Sequence, residues 1–163
     1  MSRLGMLYAL TEDETEELRK CPEQERYDYM LEEIEEKLFG SPRGCELDKA
    51  WEGLQYCFGG GKWREDNIVP LNIIFGGEFL VDTENEVITL KDPPTVKEIA
   101  AYLKEHNIRQ IIEDNIHKIK KDEYSLPIDE NSIDYLLGWS EDILAFYENA
   151  EKENHYVIFS VDL

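Results

Sequence analysis

The sequence predicts an α+β fold, a small β-sheet of short strands surrounded by five or six helices, with residues 1–163 forming a single domain. Three observations predict it. Apolar runs of strand length occur at Met6–Leu10, Val87–Leu90 and Tyr156–Val161. Between them, apolar residues recur at three- and four-residue spacing, the mark of helices that bury one stripe. No repeat, linker or low-complexity tract divides the chain, and a chain of this size buries roughly 70% of its unfolded surface in one core, without metals or disulfides.

The elements follow in order. Met6–Leu10 reads as a strand, and Thr11 caps the helix after it, with Glu14 placed to reciprocate in a capping box. That helix is brief, anchored by Leu18 and ended by Cys21-Pro22. In the next, Tyr27, Met30, Leu31, Ile34 and Leu38 form one buried stripe, with Glu32, Glu33, Glu35 and Glu36 outside, before Gly40-Ser41-Pro42-Arg43-Gly44 ends it. A third helix begins in Leu47-Asp48-Lys49-Ala50-Trp51, with Asp48 near its N-terminus and Ala50, Trp51, Leu54, Cys57 and Phe58 inward. Gly53 inside it fits a close approach by another segment's backbone, and Gly59-Gly60-Gly61 stops it.

Ile68–Phe75 is apolar but holds Pro70 and Asn72, which leaves an edge strand and a buried irregular segment both open. Gly76-Gly77-Glu78 reads as a turn, Val87–Leu90 as the second strand, and Asp92 as the cap of a helix with Pro93 in its first turn. Val96, Ile99, Ala100 and Leu103 line that helix, and Ile108, Ile111, Ile112, Ile116 and Ile119 line another. The last and longest helix runs from about Ser132 to about Glu153, burying Ile133, Leu136, Leu137, Ile143, Leu144, Tyr147 and Ala150. Tyr156–Val161 closes the chain as a buried strand.

Seventeen Lys and Arg against 37 Asp and Glu give a formal charge of −20, a field that repels phosphate backbones and anionic membranes. Nucleic acid and membrane surfaces are therefore excluded as expected partners, whereas a basic protein is attracted. The acidity is uneven: Asp122–Glu153 holds ten acids and one lysine, while Arg109–Lys121 holds four basic residues against Glu113 and Asp114. Cys21, Cys45 and Cys57 are odd in number and lack C-x-x-C spacing, which points to a reducing compartment. With no apolar leader before Glu12–Glu17 and no run long enough to span a bilayer, a cytoplasmic protein is expected.

Taken in order, several pieces resemble the YfbM-like family, domain of unknown function family 1877. They are Gly5-Met6 with Tyr8, Leu47-Asp48-Lys49-Ala50-Trp51 with Gly53-Leu54, Pro70-Leu71 leading to Gly76-Gly77-Glu78, Val96–Leu103, and Ala145-Phe146-Tyr147 with Ala150. The D-K-A-W-x-G-L piece is the most specific. The resemblance implies a single-domain bacterial α+β fold and supplies no activity, substrate or catalytic residue; Arg109–Tyr124 departs from the family in its isoleucine and lysine content.

Motifs for catalysis are sparse. Gly59-Gly60-Gly61-Lys62 lacks the earlier glycine and the following Ser or Thr of a phosphate loop, where Tyr56 and Trp63 stand instead, and it reads as a helix end. Lys62, Trp63 and Arg64 form a possible exposed contact point. His106, His117 and His155 lack metal-ligand spacing; Glu113 and His117, four apart, suit a surface salt bridge, so no metal or other cofactor is expected. The one candidate cleft comprises Asp48, Trp51, Glu52 and Glu78: two carboxylates on one helical face beside an indole, with Glu78 brought near by its glycines. The competing reading makes Asp48 a cap, Trp51 core, Glu52 solvated and Glu78 the top of a turn.

Two functions follow. The leading one is a non-enzymatic cytosolic binding or interaction protein whose acidic surface meets a basic protein partner, an immunity- or inhibitor-like role being one form. The alternative is a small-molecule-binding protein or enzyme using the carboxylate-lined cleft.

Overall fold

The two ends of the chain meet at the middle of an antiparallel sheet. In the computed structural model, which describes residues 3–63, 68–120, 122, 124, 128–129 and 131–163, β1 (Gly5–Leu10) pairs with β5 (Tyr156–Asp162). The order is β2-β1-β5-β4-β3, with β2 (Gly44–Asp48) and β3 (Glu78–Asp82) at the edges and β4 (Glu86–Lys91) inside. Residue alternation sends Leu7, Ala9, Val87, Val157 and Phe159 to one face and Met6, Tyr8, Leu10, Ile88 and Ile158 to the other. Both faces are covered, so the α+β architecture has a sheet between two helical layers.

The first layer is α1 (Glu12–Lys20), α2 (Glu23–Tyr29) and α3 (Glu36–Leu38). Thr11 and Glu14 close a capping box on α1, and Arg43 and Lys37 add cations to the Glu14 carboxylate. Between α2 and α3 the chain passes through a π-helical turn, Met30–Glu35. Tyr27, Met30, Ile34 and Leu38 are buried as expected, but Leu31 is 38% exposed, because the wider turn rotates it off the stripe.

The second layer holds α4 (Trp51–Phe58), α5 (Pro93–Glu105), α6 (Ile108–Asn115), α7 (Ser132–Ser140) and α8 (Ile143–Lys152). Every residue of α4 is buried, which makes it the hub of this layer. Its Gln55 side chain donates to Trp63 O (2.9 Å) and Leu71 O (3.2 Å) and accepts from Phe75 N–H (3.1 Å). Those bonds settle the open question at Ile68–Phe75: the segment is a 3-10 turn, Val69–Asn72, followed by buried irregular chain whose polar groups Gln55 satisfies.

Four further expectations are corrected. Gly44–Asp48 is an edge strand rather than loop and helix start, with Cys45 and Leu47 inward and Glu46 outward. Glu78, expected in the turn with Gly76-Gly77, instead begins the edge strand β3. The long final helix is two helices, broken at Glu141 and Asp142. A straight helix over that span would run about 33 Å, against roughly 24 Å for the seven-residue β5; breaking it lets α7 pack on α6 and β2 while α8 packs on α5. Gly53, finally, faces side chains rather than backbone: a Cβ there would lie 2.6 Å from Tyr124 Oη and 2.9 Å from Leu136 Cδ2.

Candidate functional site

Asp48, Trp51 and Glu52 come together where β2 hands over to α4. Asp48 ends the strand at φ 50°, and α4 starts three residues later with Ala50 at its N-cap position. The expected capping role is therefore absent. Instead the Asp48 carboxylate accepts from Tyr135 Oη on α7 at 2.5 Å, and the same oxygen of Tyr135 accepts from Lys49 N–H at 3.2 Å. Burial and then the Asp48 hydrogen bond raise the Tyr135 phenol's pKa.

Trp51 is core, 3% exposed. Its indole stacks on Phe75 (6.2 Å between centroids), tilts against Phe159 (5.5 Å) and meets Trp63 edge-on (5.9 Å). Its Nε1–H donates to Arg3 O at 2.9 Å. Gly5 on β1 makes room for it, since a Cβ at that position would lie 2.8 Å from the Trp51 side chain. Trp63 is thus part of an aromatic cluster and only half-exposed, while Lys62 is exposed and Arg64 lies outside the described residues. Glu52, 7% exposed, lies 3.5 Å from the Arg3 guanidinium. Tyr124 packs beside it; burial first and then the Glu52 charge push its phenol up to about 12.

Glu78 does not join them. It begins β3, on the opposite edge of the sheet from Asp48, and four strand spacings amount to about 19 Å. There Glu78 is exposed and accepts from Arg19 at 2.7 Å. It borders a pocket of about 550 Å³ with Arg19, Asn72, Gly77, Lys91 and Asp92. So the sheet order separates the residues of the candidate cleft, and each of its carboxylates already has a hydrogen-bond or ionic partner.

Lys91 escaped the sequence reading. It is 1% exposed; its Nζ donates to Ile74 O and contacts Thr89 Oγ1 at 3.0 Å, above the Phe159 ring at 5.6 Å. Burial drives its pKa well below 10.5, because the core offers no water to solvate the charged ammonium. Alternation placed Lys91 on the face of Val87 and Thr89, but its burial came from helices covering both faces of β4, which the sequence pattern does not encode. Tyr124, Tyr135 and Arg3 carried no signal, being brought to α4 from distant parts of the chain.

The outer side of the first helical layer is dominated by carboxylates, with Glu16, Glu17, Glu25, Glu32, Glu33 and Glu36 among those exposed. The cations that surface there are engaged: Arg19 with Glu78, Lys20 with Glu17 at 3.1 Å and Lys37 with Glu14 at 2.9 Å. On α6, Glu113 pairs with Arg109 at 3.4 Å rather than with His117, and His106 stacks on Tyr102. Among the described residues no group of three or more His, Cys, Asp and Glu is placed to hold a metal ion, and no helix is long and apolar enough to cross a membrane.

These features define the class: an α+β protein with an antiparallel sheet between helical layers. The chain belongs to the family described as domain of unknown function DUF1877, whose model matches residues 1–160. No curated protein matches it. Among solved structures it is similar to a protein of unknown function, YfbM from Escherichia coli, with a TM-score of 0.67 over 97% of this chain and 99% of that one. At 13% identity the likeness shows the fold alone.

Proposed function

We propose that this is a non-enzymatic cytoplasmic interaction protein whose acidic surface binds a basic protein partner, in the manner of an inhibitor or immunity protein. The observation that carries the reading is the outer side of α1–α3, where exposed carboxylates outnumber the cations and those cations are already paired. The net charge of −20 extends the same field over the molecule and speeds encounter with a cationic partner. The separation of Glu78 from Asp48 and Glu52 counts against the carboxylate-lined cleft.

The test is affinity capture from native lysate at low salt with the wild type and two charge-reversal variants. One carries Glu16→Lys, Glu32→Lys and Glu33→Lys; the other carries Glu98→Lys and Glu105→Lys on α5, in the opposite layer. A basic protein held by the wild type and the α5 variant, lost by the α1–α3 variant and released as salt rises, is the expected result. Capture of nothing at any salt, or equal capture by both variants, would refute the reading.

A further inference from the structure

We propose that the open edge of β2 receives an extended, basic segment of a partner protein as an added strand, seated in the groove between Phe39 and Trp139. This names the recognition element for the acidic-surface reading above and rests on it.

The backbone comes first. Ala9 N–H donates to Arg43 O at 2.8 Å, so Ala9–Arg43 and, two residues on, Leu7–Cys45 are the hydrogen-bonded pairs of the β1–β2 ladder. Gly44 and Glu46 therefore aim their backbone groups away from β1. The Gly44 N–H is taken by Ser41 O at 3.0 Å, which leaves Gly44 C=O and both groups of Glu46 facing outward. The other edge of the sheet is closed differently: Arg26 reaches over from α2 and donates to Leu80 O at 2.8 Å. The two edges are thus unequal, and that of β2 opens on a groove walled by Phe39 and Trp139.

That groove has a volume of about 520 Å³, within the size range of ligand sites, and Met6, Phe39, Trp139 and Phe146 supply its apolar surface. Phe39 is 55% exposed, the most exposed large apolar side chain among the described residues. The charged residues lining it are Glu46 and Asp142, both exposed, with no Lys or Arg among the described lining. An occupant that alternates apolar residues with Lys or Arg satisfies all three features: ladder bonds to Gly44 and Glu46, apolar contacts to the aromatics and cations opposite the carboxylates. Glu46 also repels the edge of a second copy of this acidic chain, which keeps the strand open to basic partners.

A phage-displayed library of random heptapeptides is panned against the folded protein at low salt, and selected peptides are measured by fluorescence anisotropy. Enriched sequences should alternate apolar and basic residues, and their amide shift perturbations should map to Gly44–Asp48, Phe39 and Trp139. Glu46→Pro removes an outward N–H while sparing the ladder to β1, and should weaken binding by about tenfold or more, with Glu46→Gln weaker in effect. Phe39→Ser, at an exposed site that folding does not need, should also weaken binding. Salt-sensitive peptides indifferent to Glu46→Pro and Phe39→Ser would overturn strand addition and leave the acidic-surface reading standing. Absence of basic sequences from the enriched pool would overturn this proposal, while the α1–α3 charge reversal judges the other reading independently.

Discussion

Replacing Lys91 by Met isolates the energetic consequence of holding an amine inside the second layer's core. In the native protein Nζ meets the Ile74 carbonyl, the Thr89 hydroxyl and the Phe159 ring, and burial pulls its pKa well below 10.5. In the unfolded chain the amine titrates near about 10.4. Between those two values the unfolded state binds one proton more than the native state, so this group makes stability rise with pH. The full effect is about 1.4 kcal/mol per pH unit. Met has a similar length and no proton to lose, so the variant lacks this contribution. Urea unfolding of both proteins at about pH 8 and about pH 9, followed by tryptophan fluorescence, should show the wild type gaining on the variant as pH rises, by at most about 1.4 kcal/mol over that unit. Contributions from the buried thiols and phenols cancel in the difference. Parallel stability curves would refute the reasoning, because they would mean that the native amine keeps its proton in the core.

Three further outcomes are expected. Burial raises the Glu14 carboxyl, but the Thr11 amide, Lys37 and Arg43 together outweigh it and hold the pKa at about 2, below the usual 4.5. Its contribution is thus present above about pH 4.5 and lost as pH falls towards about 2; after allowance for solvent screening, Glu14→Gln should cost about 1–2 kcal/mol near neutrality and progressively less in acid. A constant cost across guanidinium titrations from neutral to acid pH would contradict that sign. Gly53→Ala should destabilise by about 1–3 kcal/mol in a thermal melt, since its Cβ meets Tyr124 and Leu136, and an unchanged Tm would show the neighbours move freely. Burial pushes the Cys45 and Cys57 thiols up to about 12, so a disulfide reagent should titrate Cys21 alone in the native protein and all three when unfolded. Fast native reaction of more than one thiol would overturn this.

What proved legible in the sequence was local. Thr11 with Glu14 and Asp92 with Thr95 are contacts three residues apart, so their spacing alone encodes them. The inward stripes of α5 and the apolar run of β5 follow from periodicity within one element. The errors came where a neighbour decides. Leu31 is exposed because a π turn shifts the helix face, and the final helix breaks because its halves pack on different elements. β2 carried its alternation openly, Cys45 and Leu47 inward about Glu46, but it lies within a glycine-rich stretch and before a helix. For the candidate cleft, sequence placed Trp51 and Glu52 on one helix and had no means of placing Glu78, whose position depends on which strand lies between.

The sequence by itself determined the class of fold, the family, the acid balance and the helix caps, because composition and contacts a few residues apart suffice for these. Only the tertiary structure decided that Asp48 bonds Tyr135, 87 residues away, that Glu78 and Asp48 end on opposite sheet edges, and that Lys91 is buried in the core with its pKa lowered. The reason is physical: strand order and long-range packing set which groups lose water and which partners they find, and neither is written in the spacing of residues along a single element.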